Sequence, residues 1–590
     1  MLKVLKYLKR EQWLLIAAAV VFIVIQVWLD LLLPDYLSVV TELAQDPDSD
    51  MGELLVQGGL MLLCALGSGV ASICTGYCCA RTAAGLSQTL RDEMYNHTLD
   101  FSLAQIGKFS TASLTTRTTN DITQVQNTIA MGMQAIIKAP ITFVWAVCKI
   151  IGKSWQWSVG TIAVVAVLVV VMTIVLVYVV PRFAAMQGIT DDLNRIAREQ
   201  LTGIRVVRAY DAEQYQEDKF NVTNDEYMKV GLQTGNATAL INPMMLTSSS
   251  ALTLVIYWIG AGLIEAAALG DARMTLFTDM VVFSNYAMQI IMAFMMLNMV
   301  CVMLPRAQVS AQRITEVIDT PLSIFDGAGE ATAERVDAEA KPGTVEFRDV
   351  SFAYPGAAAN ALTDINVKVE PGKTLAIIGA TGSGKTTFAN LIPRLYDVEQ
   401  GQVLVDGVDV REYTQRELRD RIGYVQQKAV LFSGTVRSNV AFGDEAAEAD
   451  TAHVQRSVDI AQATEFVDRM DGKLDAAITQ GGGNVSGGQR QRLSIARAIN
   501  RDAEILIFDD SFSALDYKTD AVLRQTLNEE CAEATKIIVA QRIGTIRDAD
   551  QIIVLEHGRI VGAGTHAELM QTCETYQEIA LSQLSKEELA

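Results

Sequence analysis

Long apolar runs fill the first half of the 590-residue chain, whereas the second half shows only short apolar blocks between polar ones. A helix needs about 20 predominantly apolar residues to cross the hydrocarbon core of a bilayer. By this criterion the sequence predicts six spans, at about 13–40, 57–80, 133–152, 157–180, 240–264 and 279–304. We therefore expect a transmembrane domain over residues 1–319, surrounded by membrane lipids.

Two long polar stretches separate span 2 from span 3 and span 4 from span 5, at about 81–132 and 182–239. Both stretches are charged, amphipathic and nearly free of Gly and Pro. Connections of this length without secondary structure are uncommon. We therefore expect two helical hairpins that extend out of the membrane and turn back near Ser102–Ile106 and Asp211–Tyr215.

The charges around the first span predict its orientation. Basic residues precede it and only acidic residues follow it, and basic flanks favour the cytoplasmic side. The apolar stretch is too long for the h-region of a cleavable signal peptide and lacks a small-residue cleavage site. The flanking residues are Lys3, Lys6, Lys9 and Arg10 before the span and Glu42, Asp46, Asp48, Asp50 and Glu53 after it. Six spans then place both termini in the cytoplasm, with Trp155 and Trp157 in the aromatic belt at the outer interface.

Two charged residues and a set of methionines stand out within the spans. Asp30 and Lys149 lie near the predicted outer ends of spans 1 and 3. A charge inside a membrane is a candidate for function, so a gate-lining or interfacial role and plain snorkelling both stay open. The sixth span is rich in thioethers, which suit either varied apolar ligands or ordinary bundle packing. These methionines are Met280, Met288, Met292, Met295, Met296 and Met299.

The second half reads as an α/β domain. Residues 320–343 are rich in Ala, Glu and Asp without apolar periodicity, which predicts a linker, and the domain is expected over 344–590. The apolar strand at 374–378 leads directly into Gly379-Ala-Thr-Gly-Ser-Gly-Lys-Thr386. This order of strand, glycine-rich turn and helix predicts a P-loop, whose backbone N–H groups surround phosphates.

Lys385, Thr386, Asp509 and the segment Ser486–Gln489 complete the predicted nucleotide chemistry. Lys385 would reach the β- and γ-phosphate oxygens, and the Thr386 hydroxyl would bind Mg²⁺. About 120 residues later an apolar strand ends in Asp509, the second Mg²⁺-organising carboxylate of P-loop enzymes. Between them, Ser486-Gly-Gly-Gln489 precedes an amphipathic helix, whose N-terminus is suited to an anion.

Charge and composition exclude other classes of function. The net charge of −20 disfavours a nucleic-acid-binding protein. The 8 Cys residues have no C-x2-C spacing and the 4 His residues form no cluster, so neither a disulfide framework nor a zinc site is expected.

Together these motifs resemble those of half-size ABC transporters of the exporter type, and the resemblance covers nearly the whole chain. It implies a multidomain fold, with a six-helix transmembrane domain followed by an α/β P-loop nucleotide-binding domain, and it implies ATP and Mg²⁺. Tyr354 would stack on adenine, Gln427 would be the Q-loop residue that binds Mg²⁺, and Asp516 would belong to the D-loop. The other nucleotide-binding positions implied are Gly379, Thr381, Gly382, Ser383, Gly384, Thr387, Gly487 and Gly488. In that family two domains enclose two ATP molecules head to tail, so that each lies between one chain's P-loop and the other chain's signature sequence, here Ser486–Gln489.

Two positions depart from the family pattern. Asp510 stands where the family has the Glu that polarises the attacking water, and Gln541 stands where it has a His near the γ-phosphate. Asp is one methylene shorter than Glu, and a misplacement of about 1 Å can cost a hundredfold in rate. An amide can form hydrogen bonds but cannot shuttle a proton. The combination resembles the degenerate-site subunit of heterodimeric bacterial multidrug exporters.

This resemblance implies one subunit of a heterodimeric exporter in a plasma membrane, such as the bacterial inner membrane. It would move amphipathic or apolar compounds and would hydrolyse ATP mainly at the site of a non-identical partner. Two alternatives stay open: an importer of siderophore-like ligands with the same fold, and a nucleotide-gated regulatory subunit.

Overall fold

The computed structural model describes residues 3–45, 50–151, 155–267, 271–329 and 340–583. Asp46 and Asp48 of the predicted outer loop, and residues 330–339 of the predicted linker, lie outside the described residues. The chain divides into two compact units, Met1–His97 with Ala112–Thr320, and Thr98–Thr111 with Pro321–Ala590. The predicted domain boundaries at 319 and 343 stay predictions.

The N-terminal half is helical among the described residues, and six of its helical segments are long and apolar enough to cross a membrane, as predicted. Their length follows from continuous apolar sequence with few helix breakers. The helices are α1 (Arg10–Gln45), α2 (Met51–Leu99), α3 (Leu103–Phe109), α4 (Thr111–Thr116), α5 (Ile122–Ile151), α6 (Trp155–Thr202), α7 (Ile204–Ala209), α8 (Glu213–Ala239), α9 (Ile241–Ala266) and α10 (Asp271–Ile318). Helices α2, α6 and α8 carry the chain well beyond the predicted spans, so the two hairpins are helical as expected.

The turns of both hairpins lie a few residues before their predicted positions. Helix α2 ends at Leu99, and Ser102 already caps α3 by accepting a hydrogen bond from the Gln105 N–H, while the Gln105 side chain caps Ser102 in return. This capping box is readable in Ser102-Leu-Ala-Gln105, so the prediction of a turn at 102–106 was wrong for a recognisable reason. In the second hairpin the turn falls at 210–212, where Asp211 adopts φ +49°, and α8 begins at Glu213.

The charged residues of the spans are paired across helices. The Lys138 Nζ on α5 lies 3.2 Å from an Asp30 carboxylate oxygen on α1, and the Ser68 hydroxyl on α2 donates to the same carboxylate. The Lys149 Nζ lies 2.6 Å from Asp35. An unpaired charge is costly in a low-dielectric environment. These pairs therefore join α1 to α5, and Asp30 and Lys149 are not free snorkelling residues.

The core of the helical unit contains one of the two predicted interface tryptophans. Trp155 is exposed as expected, but Trp157 is only 1% exposed and its ring lies 5.5 Å from that of Phe283. The Trp157 Nε1–H donates to the Ile256 carbonyl at 3.1 Å. A buried indole needs such an acceptor, so Trp157 is a packing residue of the bundle.

Among its described residues, the second unit contains a four-stranded, a six-stranded and a two-stranded sheet. The strands of the second half are β1 (Val345–Phe352), β2 (Leu362–Val369), β3 (Thr374–Gly379), β4 (Gln400–Val405), β5 (Val408–Asp409), β6 (Ile422–Val425), β7 (Gly434–Thr435), β8 (Ala477–Ile478), β9 (Ile505–Asp509), β10 (Thr535–Val539), β11 (Gln551–Glu556) and β12 (Arg559–Gly564). The order of the first sheet is β2-β1-β4-β5, and its strands are antiparallel. The order of the second is β12-β11-β3-β10-β9-β6, and all but β12 run parallel.

The helices of the second half include those that connect the parallel strands of the second sheet, as this topology requires. They are α11 (Lys385–Leu391), α12 (Gln415–Asp420), α13 (Val436–Val440), α14 (Glu445–Ala449), α15 (Thr451–Ile460), α16 (Thr464–Arg469), α17 (Gly487–Ile499), α18 (Tyr517–Glu530), α19 (Ile543–Ile546), α20 (His566–Thr572) and α21 (Glu574–Gln583). Parallel strands present their carboxyl ends at one edge. The residues that follow β3, β10, β9 and β6 therefore meet there.

We predict that the Asp30–Lys138 pair stabilises the helical unit only while both partners are present. Asp30→Ala leaves an ammonium group without its counter-ion, and loss of one partner of a buried pair costs about 3–5 kcal/mol. Thermal unfolding of the chain in lipid nanodiscs should show a clearly lower midpoint for Asp30→Ala. The double variant Asp30→Asn, Lys138→Met should recover most of the loss.

The matched control is Asp319→Ala, because Asp319 pairs with Lys3 at 3.4 Å with both side chains more than half exposed. Exposed pairs contribute about 0–1 kcal/mol, so this midpoint should barely move. Equal losses in Asp30→Ala and Asp319→Ala would contradict the prediction.

Candidate nucleotide site

The glycine-rich turn after β3 has the backbone shape of a phosphate-binding loop. Gly382 and Gly384 adopt φ +83° and +103°, which side-chain-bearing residues rarely do. A Cβ at Gly384 would also lie 2.8 Å from the Ala361 carbonyl oxygen. The turn therefore requires glycine, and α11 begins directly after it at Lys385.

The Lys385 ammonium group lies inside this turn. Its Nζ donates to the carbonyls of Gly379 and Ala380, both at 2.8 Å, and lies 3.5 Å from the Ser383 hydroxyl. Burial lowers the pKa of Lys385, and the nearby carboxylates of Asp510 and Asp509 offset only part of this shift. A buried cation surrounded by a glycine-rich turn fits a polyphosphate chain.

Thr386 and Asp509 form an oxygen pair beside the turn. The Thr386 Oγ1 donates to an Asp509 carboxylate oxygen at 3.0 Å, and Asp509 is buried. Burial raises the pKa of Asp509, while the hydrogen bond from Thr386 lowers it. Hydroxyl and carboxylate oxygens are ligands that suit Mg²⁺. The two residues fit a Mg²⁺ ion shared with phosphates.

Tyr354 lies beside the first helix after the turn. Its hydroxyl is 2.8 Å from the Thr387 Oγ1, and its ring packs edge-on against Phe352 and Tyr396. The ring is only partly buried, so one side is accessible to a base. Of the other predicted positions in the turn, Ser383 is buried and Thr381 is exposed.

Asp510 is one of the two residues that depart from the family pattern, and it contacts the other, Gln541. One of its carboxylate oxygens accepts a hydrogen bond from the Gln541 Nε2 at 2.8 Å and another from the Gln427 Nε2 at 3.3 Å. The three residues follow β9, β10 and β6, which are neighbours in the sheet. Gln427, predicted as a Mg²⁺ ligand, thus directs its amide nitrogen to Asp510. The backbone of Asp510 is left-handed, with φ +47°.

The predicted signature sequence forms the start of α17. The Ser486 hydroxyl accepts from the Gln489 N–H at 3.3 Å, and the Gln489 Oε1 accepts from the Ser486 N–H at 2.8 Å. Gly487 has open space around it, whereas a Cβ on Gly488 would lie 3.2 Å from the Ala514 carbonyl oxygen. Among the described residues, no hydrogen bond joins this segment to the residues at 379–387.

The D-loop residue Asp516 caps α18. Its carboxylate accepts a hydrogen bond from the Thr519 N–H at 3.1 Å, which lowers the pKa of Asp516. Sequence reasoning missed two residues around this region, Arg542 and Gln583, which contact the backbone of the site. Gln583 lies 42 positions from Gln541, and no local pattern marks such a contact.

Sequence profiles and curated relatives match most of the chain. The profile of the ABC transporter transmembrane region matches residues 14–297, and that of the ABC transporter matches 362–513. An uncharacterised ABC transporter ATP-binding protein of Mycobacterium tuberculosis is 39% identical over 526 residues, covering 89% of this chain and 87% of that protein. A protein of Salmonella typhimurium named ATP-dependent lipid A-core flippase is 31% identical over 537 residues, covering 89% and 87%.

A solved structure shares the fold. The structure of a bacterial Atm1-family ABC exporter with ATP bound superposes with a TM-score of 0.77 at 23% identity, covering 97% of this chain and 98% of that one. Six helical segments that are long and apolar enough to cross a membrane are followed by the nucleotide-binding domain in one chain. The chain belongs to the ABC transporter family, with the half-size arrangement and the exporter-type fold.

Proposed function

We propose that this chain is one subunit of a heterodimeric, ATP-driven exporter whose own ATP site binds nucleotide but hydrolyses it poorly. In this proposal residues 1–319 span the plasma membrane with both termini in the cytoplasm, 320–343 link the domains, and 344–590 bind ATP and Mg²⁺. The partner is a second, non-identical half-transporter. The observation that carries the proposal is the hydrogen-bonded group Gln427–Asp510–Gln541 beside an otherwise complete phosphate site.

The binding half of the site has all its parts. Lys385 and the backbone of the glycine-rich turn hold the phosphates, and Thr386 with Asp509 hold Mg²⁺, which supplies charge neutralisation when bound. Tyr354 offers a partly exposed ring to the adenine. These residues can bind and orient the nucleotide without a contribution from Asp510 or Gln541.

The hydrolytic half is altered at both positions that would act on the attacking water. One oxygen of the Asp510 carboxylate already accepts from two amides. An Asp side chain is one methylene shorter than Glu, so its reach toward a water at the γ-phosphate is shorter. The Gln541 amide can donate to Asp510 but cannot take up a proton. Both differences impair the same step, so slow turnover at this site follows.

The signature sequence supports a role in the partner's site. Ser486, Gly487 and Gly488 present a helix N-terminus with an unobstructed glycine, which suits a phosphate. The proposal assigns them to the γ-phosphate of the ATP held by the partner's P-loop. An intact signature beside a degenerate base favours two unequal sites, with hydrolysis mainly at the partner's site.

The substrate class is inferred from the exposed face of α10. Exposed residues on α6, such as Val159, Ile162 and Ile174, are branched aliphatics of the kind that suit lipid. The exposed stripe on α10 is different, since between Asn285 and Met299 the exposed large apolar side chains of the described residues are methionines: Met288, Met292, Met295, Met296 and Met299. Flexible thioethers adapt to varied apolar partners. Relatives named lipid A-core flippases agree with an amphipathic substrate.

We predict that restoring the two degenerate positions restores hydrolysis. The purified chain alone should bind a fluorescent ATP analogue but show little phosphate release. Asp510→Glu with Gln541→His should raise turnover at least about tenfold, because the base regains its reach. Adding Lys385→Ala to the double variant should abolish both binding and turnover. Robust turnover by the unmodified chain alone, or complete loss on Asp510→Ala in the co-expressed pair, would contradict the proposal.

A negative charge in the signature sequence should stop ATP hydrolysis at the partner's site without releasing ATP from this chain's own site. Gly487→Asp adds an anion where the partner's γ-phosphate is expected, and it does so without steric conflict, since a Cβ at Gly487 meets nothing within 4 Å. Phosphate release by the co-expressed pair should fall by more than about tenfold, as an anion opposes a phosphate. ATP labelling of this chain's own P-loop should persist. Gly188→Asp, at an exposed glycine of α6 with open space, is the control and should leave turnover unchanged.

A polar substitution in the exposed methionine stripe of α10 should weaken the transport of amphipathic dyes. Met292→Gln keeps the side-chain length but removes apolar contact area, so efflux of amphipathic dyes such as ethidium from vesicles should need several-fold more dye for half-maximal rate. ATP turnover without dye should stay unchanged. Ile174→Gln on the exposed face of α6 is the control. Equal effects of both substitutions would remove the support for a substrate face on α10.

A further inference from the structure

The Gln583 side chain holds the backbone on both sides of Arg542. These residues belong to the segment after β10, here called the switch segment (Gln541–Ile543). The Gln583 Nε2 donates to the Gln541 carbonyl at 2.7 Å, and the Gln583 Oε1 accepts from the Ile543 N–H at 2.9 Å. Gln583 therefore satisfies an acceptor and a donor on either side of Arg542. This pair of bonds sets the path of the backbone that carries the Gln541 amide to Asp510.

Gln583 stands on a firmly packed support. It ends helix α21, whose Tyr576 and Ala580 are fully buried in the same hydrophobic cluster as Ile543 and Ile546. The helix and the switch segment thus share one core. A shift of either would be felt by the other, because packed cores do not deform continuously.

Arg542 extends the contact in the other direction, to the D-loop (Ser513–Asp516). Its guanidinium donates to the Ser513 carbonyl at 3.1 Å and to the Leu515 carbonyl at 3.5 Å, and it lies 5.2 Å from the Tyr517 ring centre. The Ser513 hydroxyl in turn donates to the Asp510 carbonyl at 2.9 Å. The D-loop is therefore hydrogen-bonded to the backbone of Asp510 and to Arg542, which follows Gln541 directly.

The D-loop also contacts the signature sequence. A Cβ on Gly488 would lie 3.2 Å from the Ala514 carbonyl oxygen and 3.9 Å from a methyl group of Leu515. The first turn of α17 therefore lies beside Ala514 and Leu515, and the Ala514 carbonyl stands between the two carbonyls that accept from Arg542. Contacts thus lead from Gln583 to the switch segment and from Arg542 to the D-loop, and Gly488 is the signature residue that lies next to the D-loop.

We propose that Arg542 and Gln583 are positioning residues that transmit the state of this chain's nucleotide site to its own signature sequence. Gln583 holds the switch segment, and Arg542 converts the position of that segment into the position of the D-loop against Gly488. Which nucleotide responds rests on the proposed function, in which this signature serves the partner's ATP. A physical chain of contacts needs coupling evidence before it counts as transmission, and the experiment supplies it.

The test uses this chain co-expressed with its partner, with Asp510→Asn throughout, so that the acceptor for the Gln541 amide is kept while the base is removed and the remaining phosphate release reports the partner's site. Arg542→Ala removes the bonds to two carbonyls and should lower this release about five- to tenfold, the worth of one to two hydrogen bonds. The affinity of this chain's P-loop for a fluorescent ATP analogue should stay within about twofold. Arg542→Lys keeps the charge and one donor, so it should recover part of the rate.

Gln583→Ala should lower the same rate about threefold, and Arg542→Ala with Gln583→Ala should be no slower than Arg542→Ala alone, because both act through one segment. Gln577→Ala is the matched control, since Gln577 lies on the same helix and donates to the Met570 carbonyl at 2.9 Å, away from the switch segment. It should leave the rate unchanged. Additive losses, or an effect of Gln577→Ala equal to that of Gln583→Ala, would mean a merely structural role and overturn the proposal.

Failure of the proposed function is distinguishable from failure of this inference. Strong phosphate release by the unmodified chain alone would refute the heterodimer, and the same Arg542 and Gln583 variants would then be measured in that homodimer without Asp510→Asn. A lower rate at unchanged nucleotide affinity, with non-additivity, would support the transmission there as well. Unchanged rates in Arg542→Ala would overturn it in either assembly.

Discussion

The parallel order β3-β10-β9-β6 is the constraint on which the nucleotide-binding half depends. Four strands that run in the same direction must end at the same edge, so the glycine-rich turn, Gln541, Asp510 and Gln427 meet although they are far apart in sequence. The backbone of each strand is fixed by its neighbours through the ladder of hydrogen bonds. Side chains at strand ends therefore need only short reaches, which explains how an Asp at 510 can still accept from two amides.

The helical half obeys a different constraint, the cost of charge in a low-dielectric environment. Asp30 and Asp35 on one helix each find a lysine on α5, and Tyr286 on α10 donates to Asp35 at 2.5 Å. Once a carboxylate stands in a span, a partner must come from a neighbouring helix, since lipid offers none. The pairs thereby specify which faces of α1 and α5 meet, in a bundle whose apolar faces alone would allow several rotations.

Local patterns in the sequence predicted the six spans and the fold class, because span length and a glycine-rich turn after a strand are readable within a few residues. The glycine-rich turn with Lys385 and Thr386, Asp509 and the segment at 486–489 could be named for the same reason, whereas Gln427, Asp510, Asp516 and Gln541 were named through the resemblance to ABC transporters. What could not be predicted depends on packing. Lys138 and Asp35 were missed because pairing is set by helix rotation, and Trp157 was misplaced because its burial depends on Phe283. The capping box at Ser102 was local and should have been recognised.

The two amides at Asp510 bear on what the site could do if it hydrolyses ATP poorly, as proposed. A His at position 541 would change its hydrogen bonds with protonation, whereas the Gln541 amide donates to Asp510 in the same way whatever the proton supply. We infer that such a site has one well-defined hydrogen-bonded arrangement that nucleotide binding can stabilise or disturb. The bonds from Gln583 and Arg542 are made to backbone carbonyls, so they depend on the position of the backbone and not on whether ATP is hydrolysed. Occupancy, not turnover, is then the quantity that the switch segment can pass to the D-loop.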